Sequence, residues 1–262
     1  MQADAGNRKL SLMRILLATS NPHKRDEIAA IFEACGAAGR VELVTLDELG
    51  PWALAIAEPV EDGDTFEANA VKKACYYARA TGLPCLADDS GLEVDALGGE
   101  PGVYSARYSG AAGERATVDL ANNRLVLEKL ADTPVKKRSA RFVCAMAFCG
   151  PQAGARPEPS GAIREGSAQG GSPEEHEARE PVAEPVVVRG TVEGRMIAVT
   201  EAADPTQPER GRGTNGFGYD PLFMLPDRGC TSAELSPEQK NAISHRGEAA
   251  RRMWRRLREV LA

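Results

Sequence analysis

Histidine is scarce in this chain, with only three among 262 residues, and that excludes a histidine-rich metal centre. The six cysteines (35, 75, 85, 144, 149 and 230) form no C-x-x-C pair and show no metal-ligand spacing. Reduced, mostly buried thiols of a cytoplasmic protein are therefore expected. No apolar run approaches the ~18 residues of a membrane span. The polar start from Met1 to Leu12, followed by the short Ile15-Leu16-Leu17-Ala18, lacks a signal-peptide core and predicts a disordered extension (1–12) ahead of the first strand. A basic excess is also missing: the net charge is −6, which argues against a nucleic-acid or anionic-membrane surface. A small anionic ligand stays compatible, because a few local cations and a metal suffice for one. With 42% apolar residues the chain can bury a substantial core, and its length fits one domain over 13–262.

The residues that carry chemistry cluster in one stretch, Ala87-Asp88-Asp89-Ser90-Gly91-Leu92-Glu93-Val94-Asp95-Ala96-Leu97. Apolar residues lead in from Leu83 to Leu86, then two carboxylates, a hydroxyl and a glycine arrive together. The pattern predicts a strand that ends at a site, with Gly91 permitting a tight turn. Adjacent side chains on a strand face opposite ways, so Asp88 and Asp89 are expected to divide the work. One would face a cleft and the other tie down the turn. A carboxylate held this way can bind Mg²⁺ or take a proton from water. A turn whose Asp and Ser merely satisfy backbone donors would look the same.

Before that stretch, Arg14 to Thr19 reads as a buried strand running into Ser20-Asn21-Pro22-His23-Lys24. Asn21 is a good N-cap, Pro22 fits the first helical position, and Ile28, Ile31, Phe32 and Cys35 follow at helical spacing. Such a helix start presents backbone N–H groups and the positive dipole end. With Thr19, Ser20 and Lys24 beside it, a phosphate cradle is readable there, although the glycines of a Walker loop are missing. An ordinary strand-to-helix turn with an exposed lysine is the plain alternative. Val41 to Leu46 predicts a second strand, and Leu49 to Val60 an irregular connection. Thr65 to Thr81 predicts a helix with Phe66, Ala70, Ala74 and Tyr77 inward, preceded by Glu61-Asp62-Gly63-Asp64. That acidic cluster suits a helix N-terminus, and Glu61 is its candidate metal ligand.

Further on, Ala116 to Leu130 predicts a helix. Arg141 to Cys149 alternates as a half-buried strand, with Phe142, Cys144, Met146 and Phe148 on one face. From Gly150 to Pro185, Pro, Gly, Ser, Glu and Ala dominate, which predicts a flexible insertion. Strand character resumes at Val186, so the insertion reads as an overgrown hairpin loop. Gly211, Gly213 and Gly216 formally match G-x-G-x-x-G, but a Pro-rich loop precedes them and no helix follows, so a dinucleotide fold is rejected. Phe217 and Asp220 on this glycine-rich loop instead suggest a nucleobase platform of aromatic face and carboxylate acceptor; a structural turn with Phe217 in the core is the alternative. Ser236-Pro237-Glu238-Gln239 is a capping-box start. Lys240, His245 and Arg246 lie just before or at the last helix's N-terminus, where a cation is disfavoured; that placement suggests they serve an anion.

Taken together, these motifs resemble the inosine triphosphate pyrophosphatase family, the Ham1-like pyrophosphatases of non-canonical purine nucleoside triphosphates. The carriers are Thr19 to Lys24, Thr65-Phe66-Glu67-Ala68-Asn69-Ala70, Ala87 to Leu97 with Gly98-Gly99, Pro101 to Arg107, Gly216 to Pro221, and Ser236 to Gly247. The resemblance implies an elongated, two-lobed α/β fold with a long curved mixed sheet flanked by helices, a cleft between the lobes, and a homodimer. It implies hydrolysis of ITP, dITP and XTP to the monophosphate and pyrophosphate with Mg²⁺. Thr19, Ser20, Asn21, Pro22, His23 and Lys24 would hold the triphosphate. Asp89 would accept the proton and help hold the metal, with Glu61 a second ligand and Ser90 touching substrate. Phe217, Gly218, Tyr219 and Asp220 would form the base pocket, and Lys240, His245 and Arg246 would contact the base and its 6-keto edge. Two rival readings are a Maf-like pyrophosphatase acting on modified pyrimidine nucleotides and a non-catalytic nucleotide-binding module. Ser244-His245-Arg246-Gly247 with Gly216-Phe217-Gly218-Tyr219-Asp220 argues against the first. Asp88, Asp89 and Lys24 together argue against the second.

Overall fold

The run expected to open the fold is strand β1, Met13–Leu17, and it leads into helix α1, Pro22–Ala34. The computed structural model describes residues 12–151 and 184–260. The expected extension and insertion therefore lie, apart from their edges, outside the described residues. Strand β2 is Val41–Val44. The connection predicted to be irregular holds two single turns, α2 (Leu46–Leu49) and α3 (Pro51–Leu54). Helix α4, Phe66–Thr81, starts where Thr65 Oγ1 accepts from the Ala68 N–H (3.1 Å) and stops at Gly82, whose φ of 71° is left-handed. Strands β3 (Cys85–Val94), β4 (Ser139–Cys149) and β5 (Val186–Met196) are long, and helix α5 (Arg115–Lys129) sits between β3 and β4 in the chain. The short strands β6 (Phe223–Leu225) and β7 (Cys230–Thr231) precede α6 (Pro237–Ile243) and α7 (His245–Val260).

All seven strands form one mixed sheet in the order β2-β1-β3-β4-β5-β6-β7. β1 is parallel to both β2 and β3, and every later pairing is antiparallel. β1 touches β3 only through Leu16↔Cys85 and Leu17↔Leu86. Beyond Leu86, the only strand paired with β3 among the described residues is β4, apart from an isolated Glu93↔Pro101 bridge, and the sheet opens at the carboxyl end of β1. Strand order also reverses there, with β2 on one side of β1 and β3 on the other, which is where open α/β sheets bind ligands. β4 and β5 pair from Phe148↔Val186 onward, as a hairpin on either side of 150–185 requires.

Two expectations are corrected here. β3 does not end at Asp88 with a turn at Gly91; it runs on to Val94, pairing with β4 throughout. Glycine is needed at 91 for close packing, since a Cβ there would lie 2.3 Å from Ser105 Oγ and 2.6 Å from the Gly102 carbonyl. β4 is not half-buried either. Cys144, Met146 and Phe148 pack with Ile28, Phe32, Ala249, Met253 and Trp254 of α1 and α7. Val143, Ala145 and Ala147 pack with Phe66, Ala70 and Ala74 of α4 on the other face. Alanines on that face admit a helix, and their small size masked its burial in the alternation pattern. A third cluster, built from β6, α5, Leu92, Val94 and Phe142, forms the core of the far end.

Candidate active site

A cavity of about 670 Å³ opens at the end of β1. Its walls are the Thr19–Pro22 turn with Lys24, the α2–α3 connection, Glu61, Lys73 of α4, Asp89 and Ser90 of β3, Arg115 and Asp119 of α5, and Phe142. Phe217 to Asp220, Lys240, His245 and Arg246 complete it. Segments far apart in the chain thus border a single groove.

Asp88 and Asp89 do point to opposite sides of β3, but neither ties down a turn. Asp88 is 1% exposed; its Oδ2 lies 3.0 Å from Lys24 Nζ and accepts from Arg246 Nη2 at 3.5 Å. Burial alone would raise its pKa, but Lys24, Arg246 and Lys73 outweigh that and hold it well below the carboxylate range. Asp89 is 7% exposed. Its Oδ2 accepts from Asn69 Nδ2 (3.0 Å) and its Oδ1 from the Ser90 N–H (2.9 Å). Here burial wins: the pKa is raised, against the pull of Lys24, Asn69 and Lys73, and the Glu61 charge adds to the rise. Two neighbours in sequence are thus an anchor held ionised at neutral pH and a carboxylate poised to take a proton.

Lys73, paired with Glu61, faces Asp88 and Asp89 as well, and these carboxylates raise its pKa against the effect of burial. Sequence reasoning missed Lys73 and Asn69. Their signal was helical spacing, since positions 69 and 73 are four apart on one face of α4.

The α1 entrance is less open than expected. Asn21 Oδ1 accepts from the His23 and Lys24 amides, Thr19 Oγ1 accepts from the Asn21 amide, and the Arg25 amide bonds to the Asn21 carbonyl. Pro22 has no N–H to offer. The positive character of this wall therefore comes from Lys24, Lys73 and the helix dipole more than from free amides. Ser20 and Pro22 line the cavity, whereas His23 does not; its ring stacks on Phe217.

At the other end, the cations expected to serve an anion are occupied by the protein's own carboxylates. Lys240 Nζ lies 2.8 Å from Glu27 Oε1 and 2.6 Å from Asp220 Oδ2. Arg246 pairs with Glu27 and donates to Ser90 Oγ at 2.9 Å. Asp220, expected as a free acceptor for a base, is spent on Lys240 and on the Phe217 N–H, which donates to its Oδ2 at 2.9 Å. Tyr219 lines the cavity, yet its hydroxyl donates to the Ser105 carbonyl at 2.8 Å. Glu27 was also missed. It lies three residues after Lys24 on α1, but its partners lie more than 200 positions away. Lys240 and Arg246 lower its pKa although burial opposes them.

His245 is buried with its ring stacked 4.9 Å from Phe142, and its Nδ1 has no hydrogen-bond partner among the described residues. Burial, then Arg246 and Lys240, push its pKa well below the ordinary value and keep it neutral. One ring nitrogen is then a donor and the other an acceptor. From α5, Asp119 Oδ2 accepts from the Gly218 N–H (2.9 Å) and Asn123 Nδ2 donates to the Gly218 carbonyl (3.2 Å). Gly218, the residue after Phe217, is therefore held at both its N–H and its carbonyl.

The carboxylates fit a hard divalent cation bound partly by substrate. Among the described residues no group of three or more His, Cys, Asp or Glu could hold a metal alone. Asp89 and Glu61 line one cavity, and the Glu61 charge raises the Asp89 pKa, a repulsion that a bound cation would relieve. One or two carboxylates with phosphate and water is an ordinary Mg²⁺ shell.

The sequence matches the Ham1 family over residues 15–175 and 178–256. It is 40% identical to the dITP/XTP pyrophosphatase of Bifidobacterium animalis subsp. lactis, over 95% of this chain and 98% of that one. It is 41% identical to that of Geobacter sulfurreducens, over 91% and 93%. A HAM1 protein from Coxiella burnetii superposes with a TM-score of 0.68 at 32% identity, covering 95% of this chain and all of the other. A nucleoside-triphosphatase / dITP/XTP pyrophosphatase from Mycobacterium abscessus gives 0.60 at 38%, over 92% and 97%.

Proposed function

The chain belongs to the Ham1 family, and from that premise we propose how its cleft works. The protein is a nucleoside triphosphate pyrophosphatase that hydrolyses non-canonical purine triphosphates (ITP, dITP, XTP) to the monophosphate and pyrophosphate. The observation that carries the assignment of roles is Asp89, a buried carboxylate of raised pKa in the same cavity as Lys24, Lys73 and Phe217.

Asp89 accepts the proton of the water that attacks the triphosphate, and Asn69 fixes its orientation. Lys24 and Lys73 face the phosphates; hydrolysis of an anhydride needs mainly positioning and charge neutralisation. Asp89 and Glu61 would hold Mg²⁺, which when bound supplies charge neutralisation on the phosphate oxygens. The base stacks on Phe217, and neutral His245 meets its 6-keto edge through a ring N–H. A 6-amino group leaves that donor unpaired, a loss of about 1–3 kcal/mol, which disfavours ATP. A cytoplasmic homodimer is part of the same reading.

The test is pyrophosphate release with Mg²⁺ from ITP, dITP, XTP, GTP, ATP and dUTP. Preference for the first three is expected. Preference for dUTP would favour a pyrimidine house-cleaning enzyme, and no release from any would leave a binding module.

A further inference from the structure

We propose that His23 is a positioning residue for the nucleobase, bracing Phe217 from its outer side. The inference rests on the reading of Phe217 as the base platform. Phe217 stands between Gly216 and Gly218, whose φ angles of 79° and 60° are left-handed. Its backbone is anchored through Asp220, yet its ring is half-buried on a loop and needs support of its own. Part of that support comes from α1. The His23 and Phe217 rings are within 15° of parallel, with centroids 5.4 Å apart.

His23 is exposed and does not line the cavity, whereas its chain neighbours Pro22 and Lys24, and Phe217 itself, do. The buried Lys240 Nζ and Arg246 Cζ lie over the phenyl ring, 5.0 and 5.6 Å from its centroid, and the exposed imidazole stacks on it from the solvent side. A base entering from the groove would meet the ring beside these two cations, with His23 behind it. At 5.4 Å there is no room for a base between the two rings, which would need about 7 Å. His23 consequently serves the base end of the substrate through Phe217, not the phosphates, although it lies in the first turn of α1 beside Lys24.

The experiment compares His23→Ala, His23→Phe, Phe217→Ala and the Ala/Ala double variant, with dITP as substrate and inorganic tripolyphosphate as competitive inhibitor. An offset aromatic pair is worth roughly a two- to tenfold effect. His23→Ala is therefore expected to raise KM by that factor with kcat little changed, and His23→Phe to restore it. Inhibition by tripolyphosphate should be unaltered, and His23→Ala should add nothing in the Phe217→Ala background. An unchanged KM in His23→Ala beside a raised one in Phe217→Ala would overturn the brace alone. A lowered KM would mean that His23 blocks the face the base uses. Weakened tripolyphosphate inhibition would make it a phosphate ligand. If Phe217→Ala itself leaves KM unchanged, the platform reading fails and the brace with it.

Discussion

Asp88 and Asp89 share a peptide bond and have opposite electrostatic fates: three cations outweigh burial at Asp88, whereas burial, helped by the Glu61 charge, outweighs Lys24, Asn69 and Lys73 at Asp89. Replacing Asp89 with Asn should lower kcat by roughly 10²- to 10⁴-fold, the usual worth of a general base, while nucleotide binding measured by calorimetry persists. In the metal-free protein the Asp89 carboxyl, followed by NMR, should titrate above the range of a free aspartate, and Glu61→Gln should bring it down. Asp88 acts on stability. Its folded pKa is depressed, so its contribution is complete above the unfolded value of about 3.9 and is lost as pH falls below it. Asp88→Asn removes the ion pair of the half-buried Lys24 and leaves Arg246 to Glu27 and Ser90, and should lower stability in urea unfolding at pH 7 by up to the ~3–5 kcal/mol of a broken buried pair. It should also flatten the acid dependence of stability in that window.

At the scale of elements, the site depends on how closely α7 rides on β5. A Cβ at Gly190 would lie 2.2 Å from the His245 carbonyl and 2.6 Å from the Ala249 amide, and backbone cannot give way as a flexible side chain can. Gly190→Ala should push the start of α7 off the sheet. A loss of about 1–3 kcal/mol in stability is expected, together with a higher KM for dITP, because His245 and Arg246 sit on that turn. Retained KM with a lowered melting temperature would show that α7 can shift without moving these side chains. The α5 grip on Gly218 obeys the same logic: a helix in the far core holds a loop in the cleft by two hydrogen bonds.

At the scale of the molecule, β4 and β5 stay in register up to Phe148↔Val186, so the chain between them joins two ends already side by side. Replacing 150–184 with a two-residue Asn-Gly turn should leave circular dichroism and pyrophosphate release intact. A collapse of either would give that segment a structural role. Three apolar clusters, two flanking β3 and β4 and one around α5 and β6, leave the groove between them, and Phe142 belongs to the far cluster while facing the groove.

Much of this was legible in one dimension, because strands, caps and glycine stops depend on neighbours a few residues away. Asn21, Thr65 and Ser236 cap the helices their local chemistry announces, and the strings around Asp89, Phe217 and His245 identify the family. Burial and pairing across the fold were not legible. Whether Asp220 is free for a ligand depends on Lys240, and whether Arg246 and Lys240 await an anion depends on Glu27 at the opposite end of the chain. Whether β3 turns at Gly91 or runs on depends on Ser105 and Phe66 packed against it. Those outcomes are set by electrostatics and close packing between segments distant in sequence, and only the assembled sheet brings such segments together.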